Sequence, residues 1–532
     1  MGRDCLRSQN RSSRTLVVVK FLNILIQSFT DGLKFGTASV RNNPPHVLTK
    51  TQIMKFFKKQ TTGILLISAI LLLTFTPGIQ AQKPGAGENE GRICDVKSFS
   101  MNKICKEWDG QWEGIFVASD GNCYFGTSTH SRGHGAGFHM YNPKTKKHTM
   151  LAEDMTLVCG EGDTESQQGK IHSPIVECDG WLYFTTHLSN YWPEGIELYT
   201  GAHVIGYELA TGNFRDFGIV KPRYSIYSAI NVDPERKVLY VFVAPFHDEL
   251  IKNGGCYLYS IDIASGEKKE LGQVTKGQTG ACFWFYVDHQ GNCWFNLWKM
   301  HIQYDHDPGN LYSYNIKTGQ IETYEDVLPK GELVDGTPVT DERLLNRRAW
   351  TWAQALPGRK KCLFTMGSTA GGDERLWIFD PSEIIKKGKA FQPIASIGST
   401  FLETALGGDR LYFVQYASLD DQRTQSAEAN REKEKEELGF NDNLHIRSVS
   451  IKPDGDNTII DHGAIVDQDG QKPRMINSLA ADDKGRVYMM GSWYINSFKE
   501  ASLQILFYDH PGERIYELVK RGEFFAVAET EK

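Results

Sequence analysis

Positive charge is in short supply: 59 Lys and Arg stand against 65 Asp and Glu, a formal net charge of −6. A nucleic-acid binder needs a basic stripe, so a mildly acidic chain argues against that partner. Long apolar runs are missing too. The longest candidate, Gly63 to Phe75, is too short for a membrane span, which needs about 20 residues. Several catalytic signatures are also absent. There is no G-x-S-x-G elbow, no phosphate-binding P-loop and no H-E-x-x-H zinc helix. No clear pair of carboxylates of the glycosidase kind presents itself.

What is present begins with a targeting pattern. Met54-Lys-Phe-Phe-Lys-Lys59 is a positive n-region, Gly63 to Phe75 an apolar h-region, and Ile79-Gln-Ala81 a small-residue cleavage site. Residues 54–81 therefore read as a signal peptide. The expectation is that Met54 is the true start, that residues 1–53 are translated upstream sequence, and that 82–532 is a single secreted or periplasmic domain. No Cys follows the cleavage site, which argues against a lipoprotein anchor.

The rest of the chain is repetitive. A turn followed by an aromatic strand recurs as Asp120-Gly-Asn-Cys-Tyr-Phe125, Asp179-Gly-Trp-Leu-Tyr-Phe184, Gln290-Gly-Asn-Cys-Trp-Phe295, Gly408-Asp-Arg-Leu-Tyr-Phe413 and Lys484-Gly-Arg-Val-Tyr-Met489. Pro234 to Tyr240 and Pro357 to Phe364 complete a set of seven. Third strands are alike as well, as in Phe138 to Tyr141, Val204 to Tyr207 and Gln504 to Tyr508. A period of about 50–70 residues with four short strands predicts an all-β, seven-bladed β-propeller of four-stranded antiparallel blades. Ile93 to Val96 and Phe524 to Ala528 are left over as candidates for a closing clasp. The charged run within 420–438 reads as a solvated insertion. Cys123, Cys293 and Cys362 recur at one place in their units and read as small core residues, whereas Cys94 and Cys105 are candidates for a disulfide.

The connections between first and second strands, and between third and fourth, are tight turns. The other two kinds are long and share the opposite face, which is therefore the working face. The second repeat is richest there. His172 precedes its first strand, His187 ends its second, Tyr207 lies on its third, and Arg223 and Tyr224 open the next repeat. The loop after His187 carries Tyr191, and neighbouring repeats add His130, His247, Arg348 and Trp350 as substrate-binding candidates. His, Tyr and Arg together suit β-elimination from a uronate. An Arg neutralises the carboxylate and stabilises charge developing beside it. A His or Tyr removes the neighbouring proton, and another protonates the leaving oxygen.

This set of residues on this layout resembles the propeller-type ulvan lyases, polysaccharide lyase families 24 and 25. The resemblance implies a lyase cleaving a sulfated, uronate-containing glycan, with His172, His187, Tyr207 and Arg223 as catalytic residues. Tyr224 and Tyr191 stand as alternatives for the tyrosine. It also implies a structural metal, zinc or calcium, with ligands unassigned. The elimination itself needs no cofactor. The expected partner is an anionic polysaccharide bound by a monomer, with no nucleic acid and no membrane span. Two other readings remain: a metal-dependent propeller hydrolase or lactonase, and a non-catalytic glycan-binding propeller.

Overall fold

The computed structural model describes the chain from Ile93 to Thr530, apart from residues 132, 163–165, 190, 192, 299–308, 333–335, 341–344, 346–347, 367–374, 385–388, 398–403, 417–443, 453–457, 494–502, 509–513 and 520–521. Contacts divide the chain into Met1–Gln80 and Ala81–Lys532, and all described residues belong to the second unit. The signal segment 54–81 and the insertion 420–438 lie outside the described residues.

A first strand, β1 (Ile93–Ser100), precedes the repeats. The first repeat folds as β2 (Ile115–Val117), β3 (Cys123–Gly126), β4 (Phe138–Asn142) and β5 (Lys147–Ala152). The second is β6 (Val176–Cys178), β7 (Trp181–Thr185), β8 (His203–Glu208) and β9 (Phe214–Ile219). In the third, β10 (Tyr224–Ser225) and β11 (Ile230–Asp233) both pair with β12 (Val238–Pro245), followed by β13 (Tyr257–Asp262) and β14 (Lys268–Gln273). The fourth is β15 (Tyr286–Val287), β16 (Cys293–Phe295), β17 (Leu311–Asn315) and β18 (Gln320–Tyr324). The fifth is β19 (Trp350–Ala355), β20 (Cys362–Met366), β21 (Arg375–Phe379) and β22 (Phe391–Ser396). Gly121, Gly180 and Gly291 sit in the turns between first and second strands with φ of 80°, 76° and 90°, a region glycine enters without a Cβ penalty.

The expected seven separate blades are not formed. Among the described residues there are five small antiparallel blades, and the last two repeats merge into one eight-stranded sheet. Its order is β23 (Thr404–Gly407), β24 (Arg410–Tyr416), β25 (Leu444–Ser450), β26 (Ile460–Asp467), β1, β31 (Gly522–Glu529), β28 (Arg486–Trp493) and β27 (Pro473–Ala481). The segment read as the seventh repeat's third strand instead makes an isolated hairpin, β29 (Leu503–Tyr508) with β30 (Arg514–Val519). The terminal β31 takes the edge of β28, from Arg486↔Glu529 to Trp493↔Gly522. One edge of β1 then pairs with β31, Val96↔Ala528, and the other pairs in parallel with β26, Ile93↔Ala464. A strand has two hydrogen-bonding edges, and β1 spends both, joining the two repeats. The edge strands β23 and β27 lie side by side, so this sheet is nearly closed on itself.

The seam between the first blade and the terminal strand is aromatic. Phe125 stacks on Phe525 with centroids 4.2 Å apart, and both are fully buried. Each such side chain stabilises by about 2–3 kcal/mol. Cys123, Cys293 and Cys362 are fully buried core residues. The nine described cysteines form no disulfide with one another, so the expected Cys94–Cys105 bridge is absent. No helix among the described residues is long and apolar enough to cross a membrane. Short helices fall in the long connections: α1 (Met155–Val158), α2 (Pro193–Leu198) and α3 (Asp248–Asn253).

Candidate active site

Backbone geometry brings the second repeat's two histidines together. Ser128 bridges both Gly110 and Lys170, and Lys170 in turn exchanges hydrogen bonds with His187, at 3.1 and 2.9 Å. His172 follows two residues after Lys170. The imidazoles of His172 and His187 lie 6.0 Å apart, and the Tyr227 ring touches both, at 4.4 and 5.2 Å. Trp112 stacks flat on His172 at 5.4 Å, and His130 meets the edge of Trp112 at 5.7 Å.

Hydroxyls meet three of the four ring nitrogens. Nδ1 of His187 is 2.6 Å from Ser225 Oγ, and its Nε2 is 2.7 Å from the Tyr191 hydroxyl. Nδ1 of His172 is 3.3 Å from Ser228 Oγ. Beneath them Lys170 is 1 % exposed. Its ammonium donates to the carbonyls of Leu188 and Ser189, at 2.9 and 2.7 Å, and sits 4.5 Å from the centre of the Tyr191 ring.

Burial sets the charges. It pushes His172 down to about 3, with Lys170 adding to the effect, and holds His187 well below the usual imidazole range for the same two reasons. Both imidazoles are therefore neutral near pH 7. Burial also brings Lys170 down to about 7, with Asp109 opposing. The Tyr227 phenol is pushed up by burial and by Glu113, so it keeps its proton. Glu113 itself is buried, at a strained φ of 58°, and neither carboxyl oxygen is hydrogen-bonded in normal geometry. Burial raises its pKa far above the carboxylate range, with the nearby Ser228 hydroxyl easing this slightly.

The structure brings together His172, His187, Tyr191 and, through Trp112, His130. Arg223 does not touch the histidines. Its guanidinium donates to Glu197 Oε2 at 2.6 Å, and Glu197 Oε1 accepts from His247 Nε2 at 2.5 Å. This trio lies one ring further out, since Phe246, next to His247, packs 5.4 Å from His187 and 5.3 Å from Tyr191. Tyr207 is elsewhere. Its ring is in the core with Tyr124, Phe138 and Phe214, and its hydroxyl lies beside the Gly212 turn. Tyr224 packs against Tyr257 and Lys221 in the third blade. Arg348 donates to Asp326 and to the carbonyls of Leu328 and Leu345, a clamp between connections. Trp350 is fully buried against Phe364 and Phe379.

Sequence reasoning missed Ser225, Tyr227, Ser228, Trp112 and Lys170. Alternation was the available signal for two of them. Successive side chains of an extended segment face opposite ways, so a core Tyr224 places Ser225 and Tyr227 on the pocket side.

A second polar cluster carries the donor set for a metal. Ligand atoms of Cys159, His203 and Asp216 lie within 4.8 Å of one another. The second ring nitrogen of His203 is 3.1 Å from Glu161. Thiolate, imidazole and carboxylate suit zinc, with Glu161 as an outer partner orienting the ring.

No family model and no curated protein sequence matches this chain. Among solved structures, it is similar to an oligogalacturonate lyase in complex with manganese, at 11% identity and a TM-score of 0.44, over 80% of this chain and 91% of that one. A second oligogalacturonate lyase, from Vibrio parahaemolyticus, is similar at 11% identity and a TM-score of 0.34, over 57% and 73%. The Cps50 (Swd1) β-propeller domain of Myceliophteria thermophila is similar at 10% identity and a TM-score of 0.38, over 72% and 94%.

Proposed function

We propose that this chain is an exported polysaccharide lyase that cleaves a uronate-containing, sulfated glycan by β-elimination. The observation that carries the reading is the neutral, buried His187 with the Tyr191 hydroxyl 2.7 Å from its Nε2. A neutral imidazole accepts a proton, so Tyr191 and His187 together form a base for the weakly acidic hydrogen beside the sugar carboxylate. Tyr191, rather than Tyr207, takes the tyrosine role because it reaches the histidine. Tyr227, which keeps its proton, is placed to protonate the departing glycosidic oxygen. Trp112 offers a flat ring next to His172 for a sugar face. Arg223 neutralises the carboxylate. A cation at Cys159, His203 and Asp216 would stabilise the fold and takes no part in the elimination.

The test is incubation of the mature protein with ulvan and other uronates, following ultraviolet absorbance of the unsaturated product. The expected result is a rise that chelator leaves intact and that Tyr191→Phe reduces by about 10²-fold or more. A chelator-sensitive reaction without the chromophore points to a metal-dependent hydrolase. Binding without product points to a glycan-binding module. Equal rates for Tyr191→Phe and wild type reject the site.

A further inference from the structure

Arg223, Glu197 and His247 come from three different connections, yet they converge on one carboxylate. Glu197 sits on α2, Arg223 just before β10, and His247 caps α3. Each Glu197 oxygen takes one donor: Oε2 takes the Arg223 guanidinium at 2.6 Å, and Oε1 takes His247 Nε2 at 2.5 Å. The His247 tautomer follows from its other nitrogen, since Nδ1 accepts from the Glu249 amide at 3.2 Å and Nε2 must carry the proton. Glu197 is well exposed, with its side chain at 57 %, and exposed ion pairs of this kind are weak because water screens them. It is therefore easily displaced.

Two further features single out this trio. Arg223 adopts φ 66°, a left-handed conformation that is strained in a residue with a Cβ and tends to occur at functional sites. Its Nε is buried and has no partner, so one donor beyond those on Glu197 is unused. The loop that bears Glu197 is the one that bears Tyr191, and Lys170 ties down its start through the Leu188 and Ser189 carbonyls. The loop therefore reaches His187 with one residue and the Arg223–His247 pair with another.

We propose that Arg223 and His247 form the seat for the substrate's carboxylate, and that Glu197 occupies this seat in the free protein as a carboxylate stand-in. The inference rests on the uronate reading above and adds Glu197 and His247 as specificity-determining residues. An acidic sugar exchanges with Glu197, carboxylate for carboxylate. A neutral sugar gains nothing from the exchange.

Binding tests this without turnover. Calorimetry with D-glucuronate, and with D-glucose as the neutral control, compares wild type, Glu197→Gln, Arg223→Asn and His247→Asn. Asparagine tolerates the left-handed backbone of Arg223 and preserves the helix cap made by His247. Removing a resident competitor increases the fraction of binding-competent protein, so Glu197→Gln is expected to bind glucuronate about tenfold more tightly. The two asparagine variants are expected to bind it at least about tenfold more weakly. Glucose affinity stays the same throughout. This pattern supports the inference even where no uronate is cleaved, in which case only the lyase reading fails. Unchanged or weaker glucuronate binding by Glu197→Gln overturns it, as does glucuronate affinity indifferent to Arg223→Asn.

Discussion

The second blade holds two buried histidines that sit almost side by side in opposite charge states. His187 follows β7, and His203 opens β8 across from Thr186, whose amide donates to the His203 carbonyl at 3.0 Å. His187 is ringed by Tyr191, Tyr227, Phe246 and the Ser225 hydroxyl, with no carboxylate on its ring nitrogens. Burial keeps it neutral. His203 is also buried, and burial again works against its charge, but the hydrogen bonds it makes to Asp216, Cys159 and Glu161 push it up to about 11. One residue of strand parity separates a base from a cation. Equal burial therefore says nothing about charge until the partners are known.

The largest effect that would break this contrast is on turnover. His187→Ala is expected to lose about 10²–10⁴-fold in rate on a uronate polymer, with an unchanged far-ultraviolet dichroism spectrum. A rate within threefold of wild type, about 0.7 kcal/mol in barrier, would remove His187 from the chemistry. His203→Ala is expected to do the reverse. It strands Glu161 and Asp216, so urea denaturation should show a loss on the order of 3 kcal/mol while the rate per folded molecule stays near normal. Should the rate collapse as well, the two settings are not separate in function.

Acidity sharpens the comparison on the neutral side. His172 has its folded pKa depressed to about 3, against about 6.5 for an unfolded histidine. Between these values the unfolded chain binds more protons, so this contribution to stability is complete above pH ~6.5 and is lost on acidification toward pH 3. The loss from pH 7 to pH 5 is expected to be about 2 kcal/mol by urea midpoint. In His172→Asn that dependence should be shallower, and an identical slope in the two proteins would contradict a neutral buried imidazole. The smallest expected effect is at the ionic side. Zinc should raise the melting temperature of the wild type by a few degrees, and Cys159→Ser should abolish that rise. A rise that persists in Cys159→Ser places the cation elsewhere.

Several parts of this arrangement were legible in the chain alone. The aspartate- and glycine-containing turns, the aromatic second strands and the long connections on one face all follow from local chemistry. The concentration of His, Tyr and Arg in the second repeat was read on the same basis. A choice among its tyrosines could not be made that way, because Tyr191, Tyr207, Tyr224 and Tyr227 differ in which way each faces and hardly at all in local sequence. Tyr207 lies on a regular strand whose parity turns it into the core with Phe138 and Phe214. Arg223 was read as the arginine that neutralises a substrate carboxylate, and the carboxylate it meets in the structure, Glu197, comes from a helix that no repeat pattern announces.

The amino-acid order by itself determined the hairpins of the first five repeats, since alternation and turn chemistry act over a few residues and need no distant partner, but it did not separate the last two into blades of their own. Only the tertiary structure decided how the ends join. The Ser98 hydroxyl donates to Asp467 across 369 residues, and β1 binds β26 on one edge and β31 on the other. Any strand edge can accept any other strand, so pairing is settled by which edges remain free once the nearer hairpins have closed. The charges of His187 and His203 were decided at the same level, because a proton's free energy depends on what surrounds the ring in space.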